Sequence, residues 1–315
     1  VIDFRYHVVS LVAVLIALAL GLFLGSTTLQ GRVFDDLKGR ADKVNQQNHT
    51  LETELRAARS QVSQQQRFDS VLQPQAVADR LTGVSVALVS APGVNGGMRS
   101  SVVTALREAG ATVTVDVRLS SSYIDPTEAA ELGQLAKELP GRTAPAGTSG
   151  AVAADAKLAD VLVSRSAKTQ VSPARISQTL AAFSAGKLLS VSGGTPVRQA
   201  SLGLLLVPAG DTGTPINTAR AQADVLLTLG QDLGTAGMGA AVAGPTPVTG
   251  VQGVIDLARG SEAASIKGVS TVDSADVASG RIAVVLALAA ALDGEAGAYG
   301  PNSTSNPLPS PSATP

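Results

Sequence analysis

Residues 84–119 read VSVALVSAPGVNGGMRSSVVTALREAGATVTVDVRL. The run VSVALVS (84–90) is apolar without clean alternation, as expected of a strand covered on both faces. APGVNGG (91–97) interrupts it with Pro and Gly. A helical pattern over 98–109, Gly110 and the strand-like TVTVDVRL (112–119) follow. Strand, loop, helix, strand is the unit from which parallel sheets are built, because parallel strands need a long crossover.

The same alternation extends toward the C-terminus. Helical patterns are expected over 125–139, 151–164, 172–185, 216–229, 251–258 and 278–292. Strand-like runs lie at KLLSVSGG (187–194), LGLLLVPAG (202–210), GMGAAVAG (237–244) and GVSTVD (268–273). The expected fold is α/β over 74–294, an open, mainly parallel, Rossmann-like sheet with helices on both faces. Beyond Gly294 the chain turns to Gly, Pro, Ser, Asn and Thr, so 295–315 is expected to be a disordered tail.

Toward the N-terminus, Pro74 reads as a break, with a short helix over 75–81 after it and a heptad stalk over 32–73 before it. The a series is Phe34, Ala41, Asn48, Leu55 and Val62, and the d series Leu37, Val44, Leu51 and Ala58. Polar residues fill the other positions, which is a coiled-coil seam of about four heptads. Asn48 at a favours a parallel, two-stranded, in-register pair, and Glu54 at g can reach Arg59 at e of a partner.

No ionisable side chain occurs over 8–31, and as a helix 8–24 spans about 26 Å, close to the hydrocarbon thickness of a bilayer. Phe4 and Tyr6 precede it, where aromatic rings favour the interface. A secretory signal would be shorter and end in a small-x-small site, and the best such triplet, 17–19, lies inside the apolar run. Residues 1–31 therefore read as an uncleaved membrane anchor. Arg32, Lys38 and Arg40 outnumber Arg5, against an outside location for the bulk of the chain; the short leader with its single Arg resembles a signal-anchor and favours one. Ala13, Ala17, Gly21 and Gly25 recur every fourth residue, a flat face along which a second membrane helix could pack.

Chemistry is scarce in this chain. A net charge of −1 with no basic run, and 3% aromatic residues, remove the attraction to phosphate and the stacking that nucleic-acid binding needs. Without Cys there are no disulfides or thiolate metal sites. The two histidines, His7 at the membrane edge and His49 on the stalk, cannot join a nucleophile in the globular part, and no pair stands out among Asp116, Asp125, Asp211 and Asp273. With Met98 and Met238 far apart in sequence, no soft-donor cluster for copper is written within one subunit. Four turns follow expected strands, at 91–97, 192–196, 208–215 and 244–250. None carries GxxxxGK[ST] or opens as GxGxxG, and Gly237-Met238-Gly239 starts a strand where a fingerprint would follow one. Gly93, Asn95, Gly96 and Gly97 form the candidate ligand loop; no cofactor is expected. Two glycosylation sequons, at Asn48 and Asn302, read as chance matches.

The segments DFRYHVVSLVAVLIALALGLFLGS (3–26), the heptad stalk, LQPQ (72–75), VALVSAPG (86–93) and GEAGAYG (294–300) together resemble the actinobacterial MctB-like family. That family is named for a mycobacterial copper-transport outer-membrane protein. The resemblance implies copper transport or efflux at the outer envelope, while the related SteB line implies cell separation through a partner, SteA, and control of a septal wall hydrolase. A transmembrane barrel would need many alternating strands of about ten residues, which this chain lacks. The expectation is a non-enzymatic, single-pass, homodimeric scaffold in membrane lipid, facing the periplasm or wall and docking an envelope or divisome protein. The alternative is a copper transport or efflux component.

Overall fold

The structure, a computed structural model, describes residues 4–143, 147–192, 198–260, 268–304 and 306–310, with the backbone alone described for 26–36 and 167. It comprises two compact bodies, Val1–Gln65 and Gln66–Pro315. The first is carried by helix α1 (Phe4–Val77), whose last turns belong to the second.

The second body is a seven-stranded sheet. In chain order its elements are β1 (Ser85–Ser90), α2 (Gly96–Glu108), β2 (Thr112–Leu119), α3 (Ser121–Ile124), α4 (Ala129–Glu138), α5 (Gly150–Leu162), α6 (Pro173–Ala185), β3 (Leu189–Ser192), β4 (Leu202–Leu206), α7 (Ile216–Ala236), β5 (Gly239–Ala243), α8 (Val254–Gly260), β6 (Val269–Val272), α9 (Ala278–Leu292) and β7 (Ala298–Tyr299). The spatial order is β3-β2-β1-β4-β5-β6-β7. All pairings are parallel except β2 with β3, as the sequence leads one to expect of a mainly parallel sheet. Leu119, where β2 ends, sits opposite Leu189, where β3 begins, so the excursion through α3–α6 leaves and returns at one edge and β3 must run backwards.

Parity along the strands divides the core into two layers. Ala87, Val89, Val117, Leu205 and Val242 pack with α3 and α4–α8 on one face. Val86, Leu88, Leu204, Ala241 and Val272 pack with α2, α9 and Val77 of α1 on the other. Both faces are covered, so the central strands β4 and β5 carry no polar side chain at any position. Small residues let the layers close. A Cβ on Gly230 of α7 would fall 2.7 Å from Val242 Cγ2 on β5, so only Gly fits at that crossing.

Two expectations at the margins of the globular body need correction. First, α1 does not break at Pro74 but continues to Val77. Its end is held by tertiary contacts: Val77 is fully buried, and Gln73 donates from Nε2 to Glu108 Oε2 (2.7 Å) while its Oε1 accepts from Arg281 Nε (2.8 Å). These fixed contacts outweigh the backbone bond that Pro74 cannot donate.

Second, the described part of 295–315 is not a disordered tail. It adds β7 beside β6, buries Tyr299, and returns Gly300 N–H to Pro307 O. The reason is Asp273, wholly buried at the end of β6. Its Oδ2 accepts from Arg259 (2.6 Å) and its Oδ1 from Ser274 Oγ (2.8 Å) and the Asn302 backbone N–H (3.1 Å). A buried carboxylate needs such partners, and the terminal segment supplies one of them. Deleting residues 298–310 is therefore expected to cost about 2–4 kcal/mol and to lower Tm in a thermal melt, whereas removing a disordered tail would leave Tm unchanged.

Candidate functional site

Three places were legible as candidates in the sequence: the membrane face, the stalk seam and the loop after β1. Along α1, Phe4–Gly25 is long and apolar enough to cross a membrane, and every residue of it is exposed. Ala13, Ala17, Gly21 and Gly25 all lie on this segment, and a Cβ at either glycine would meet nothing within 4 Å. In the stalk, Leu37, Ala41, Val44, Asn48, Leu51, Leu55, Ala58 and Val62 are exposed, and the side chain of Phe34 lies outside the described residues. Glu52 takes the local ion pairs, with Arg56 at 3.9 Å and His49 at 4.0 Å, while Glu54 and Arg59 have no ion-pair partner among the described residues.

The loop after β1 sits at the sheet's topological switch point. From β1 the chain proceeds outward to β2 and β3, then returns to β4 on the opposite side of β1, leaving a crevice at the carboxyl ends of β1 and β4. The sequence anticipates one wall of it. Gly93, Asn95 and Gly97 line a concavity of about 480 Å³, together with Met98, Pro208, Ala209, Pro245 and Asp276. Gly96, the first residue of α2, is exposed but does not line it. Gly93 has φ +79°, a left-handed conformation that an L side chain rarely adopts, and its loop lies against Pro208. Asp276 joins two of the loops by accepting at Oδ1 from Thr246 N (2.7 Å) and Thr246 Oγ1 (2.9 Å).

The electrostatics of this crevice differ from those of a phosphate site. Asn95 caps α2, its Oδ1 accepting from Gly97 N (2.8 Å) and Met98 N (3.2 Å), so donors that would cradle a pyrophosphate are already occupied. Among the described residues no Lys or Arg lines the concavity, and one residue that does line it is the carboxylate Asp276. Arg99, one turn into α2, is ion-paired with Asp116 on β2. Asp211, on the β4–α7 loop, is held below the usual carboxylate range by the Gly213 N–H, then by the Thr214 hydroxyl. The turn at 192–196 lies mostly outside the described residues. A larger concavity of about 610 Å³ lies between α4 and α5, with Thr143 and Thr148 also in its lining.

Sequence reasoning missed a buried polar pair. Tyr123 on α3 and Asp155 on α5 are both fully buried, and the tyrosine hydroxyl donates to Asp155 Oδ1 (2.8 Å). Asp155 Oδ2 has no partner among the described residues. Burial, reinforced by the nearby Asp232 and partly offset by the Tyr123 hydrogen bond, drives the Asp155 carboxyl well above its ordinary range. Burial likewise raises the Tyr123 phenol. Asp232 is raised by burial, with Arg142 beside it acting the other way. Nothing reaches this pair from solvent, so it bears on stability and not on catalysis. The surrounding GAVAADAKLADVL (150–162) gives no local signal that two of its charged residues, Asp155 and Lys157, are interior.

Residues 1–309 match the model of a family described as Copper transport outer membrane protein, MctB. The chain is also similar to the Copper transporter MctB of Mycobacterium bovis and to that of two Mycobacterium tuberculosis strains, at 30% identity over 131 residues. That stretch covers 42% of this chain and 42% of the length of each relative.

Because the Asp155 carboxyl is raised in the fold, the native state binds a proton that the unfolded state has released above a pH of about 4, and stability falls as pH rises from there toward the folded pKa. Asp155→Asn keeps the acceptor for Tyr123 and cannot ionise. It is expected to flatten this loss, unfolding at a higher urea midpoint than the parent at neutral and alkaline pH and not at pH 4, as measured by urea titrations across pH.

Proposed function

This chain belongs to the MctB family of copper transport outer membrane proteins, and on that premise we propose that it acts as a non-enzymatic, membrane-anchored dimeric scaffold of the cell envelope. Two copies pair through their coiled coils, and the α/β head serves as a further contact surface on the periplasmic or wall side.

The observation that carries this reading is the row Leu37, Val44, Leu51, Leu55 and Val62, each about half exposed or more on a stretch of helix whose other positions are mostly polar. A sustained apolar stripe at heptad spacing is the pattern that a second helix covers. Asn48 at a favours the parallel register, which also brings two membrane helices together along Ala13, Ala17, Gly21 and Gly25. Glu54 and Arg59, without ion-pair partners of their own, stand at the g and e positions where chains can be cross-paired. Among the described residues the crevice lining holds neither a histidine nor a nucleophile beside a base, and the non-enzymatic part of the reading is proposed from the sequence. A SteA-like partner and a role in cell separation rest on the resemblance to the SteB line.

A second reading, a component of copper transport or efflux, is favoured by the family description and by the relatives' names. Copper would then be cargo. The chain's soft donors do not gather to hold it: Met98 is buried at the carboxyl edge of the sheet, and Met238 is exposed at the opposite edge, before β5. Among the described residues no three of His, Asp and Glu cluster. A copper role consistent with these residues runs through assembly or a partner.

Leu51→Asp places two charges in the seam and removes about 3 kcal/mol of buried leucine per dimer, on the order of a hundredfold in the dimer constant. Analytical ultracentrifugation of the detergent-solubilised chain is expected to show a dimer converted to a monomer whose head melts unchanged. A monomeric parent would overturn the scaffold reading, and stoichiometric Cu(I) uptake by the parent in a chelator competition would favour the second.

A further inference from the structure

The switch-point crevice carries recognition chemistry that a scaffold held together by its stalk does not use. Its volume of about 480 Å³ lies within the ordinary range of small-molecule sites. Met98, Pro208, Ala209 and Pro245 give it apolar walls, and two polar groups remain available between them. Asp276 uses Oδ1 to hold Thr246 and leaves Oδ2 as an acceptor. Asn95, an exposed residue, uses Oδ1 to cap α2, so its Nδ2 is the group left to donate.

We propose that this crevice binds a neutral polyhydroxyl ligand, a segment of glycan. A hydroxyl both donates and accepts, so adjacent hydroxyls can satisfy a carboxylate oxygen and an amide N–H together. The C–H face of a sugar ring matches walls of Pro, Ala and Met. Competing ligand classes fit less well. A phosphate or nucleotide would meet the Asp276 carboxylate, no lining cation and a helix N-terminus already capped. A purely apolar molecule would strand Asp276 and Asn95 without water. An organic cation would share the field of the Asp276 carboxylate with Arg281, which donates from Nη1 to the Asp276 backbone carbonyl (2.9 Å). The site is preformed, since Gly93 sets the turn of one wall and the Thr246–Asp276 bonds tie two others.

This inference goes beyond the scaffold reading and does not rest on it. Its test uses the full chain in a sugar-free detergent, with saturation-transfer NMR on chitotetraose and maltotetraose and with ATP and inorganic phosphate as competitors. Ala209→Trp fills the crevice from an exposed position, and Asp276→Asn keeps the acceptor for Thr246 while turning Oδ2 into a donor. The expected result is saccharide binding by the parent, its loss in Ala209→Trp, about tenfold weakening in Asp276→Asn, and no competition by ATP or phosphate, with melting curves unchanged. Absence of saccharide binding in the parent, undiminished binding in Ala209→Trp, or displacement by ATP would each overturn it. Neither outcome bears on dimerisation, which ultracentrifugation reads separately.

Discussion

The side chains of α1 have to satisfy different surroundings in succession. Its backbone hydrogen bonds close within the helix, so the backbone makes no demand on the surroundings and the side-chain pattern alone decides what each stretch requires. From Val8 to Gly25 the pattern is apolar almost all round, which suits hydrocarbon. From Leu37 to Val62 it narrows to one stripe at heptad spacing. From Gln66 it serves the head, where Val77 is buried with α2 and α9 and Gln73 bridges Glu108 and Arg281. The heptad positions turn polar at Gln65 and Asp69, where the helix passes into the second body. Past that point its apolar contacts, through Val77, are made within its own chain.

Much of the head could be read from local sequence because both faces of the sheet are covered. That condition makes β1, β4 and β5 continuous apolar runs, and it places Gly- and Pro-bearing turns wherever such a run ends. The features that escaped are set by contacts between distant segments. The direction of β3 depends on where the α3–α6 excursion returns to the sheet, which no window of sequence contains. The fate of Pro74 is decided by Gln73 docking on residues 35 and 208 positions away. The terminal segment looks disordered by composition; it is ordered because Asp273 is buried and lacks enough partners without it. Asp155 resembles a surface residue until α3 brings Tyr123 over it.

The crevice was half legible for the same reason. Gly93, Asn95 and Gly97 could be picked out, since the turn after the first strand of such a sheet is where ligands gather. Pro208, Ala209, Pro245 and Asp276 come from three other loops, and strand order alone brings them together. Gly96 belongs to the same motif and does not line the concavity, because α2 begins there.

The identity of one residue, Asn95, separates this crevice from the nucleotide sites of similar sheets. In a dinucleotide-binding turn a glycine leaves the N-terminal N–H groups of the helix open to an anion. Here a side-chain oxygen closes them, which stabilises α2 locally and removes the positive end that phosphate would seek. The cap also fixes the side chain's orientation, so its amide N–H₂ is held in place at the crevice wall. Asp276 follows the same logic, with one oxygen holding Thr246 and the other left over. A donor and an acceptor, each immobilised by a structural bond made through the same side chain, give a polar site whose ordering cost is met before any ligand arrives. The α/β frame is thus kept while the charge preference at its switch point is changed, without any rearrangement of the strands.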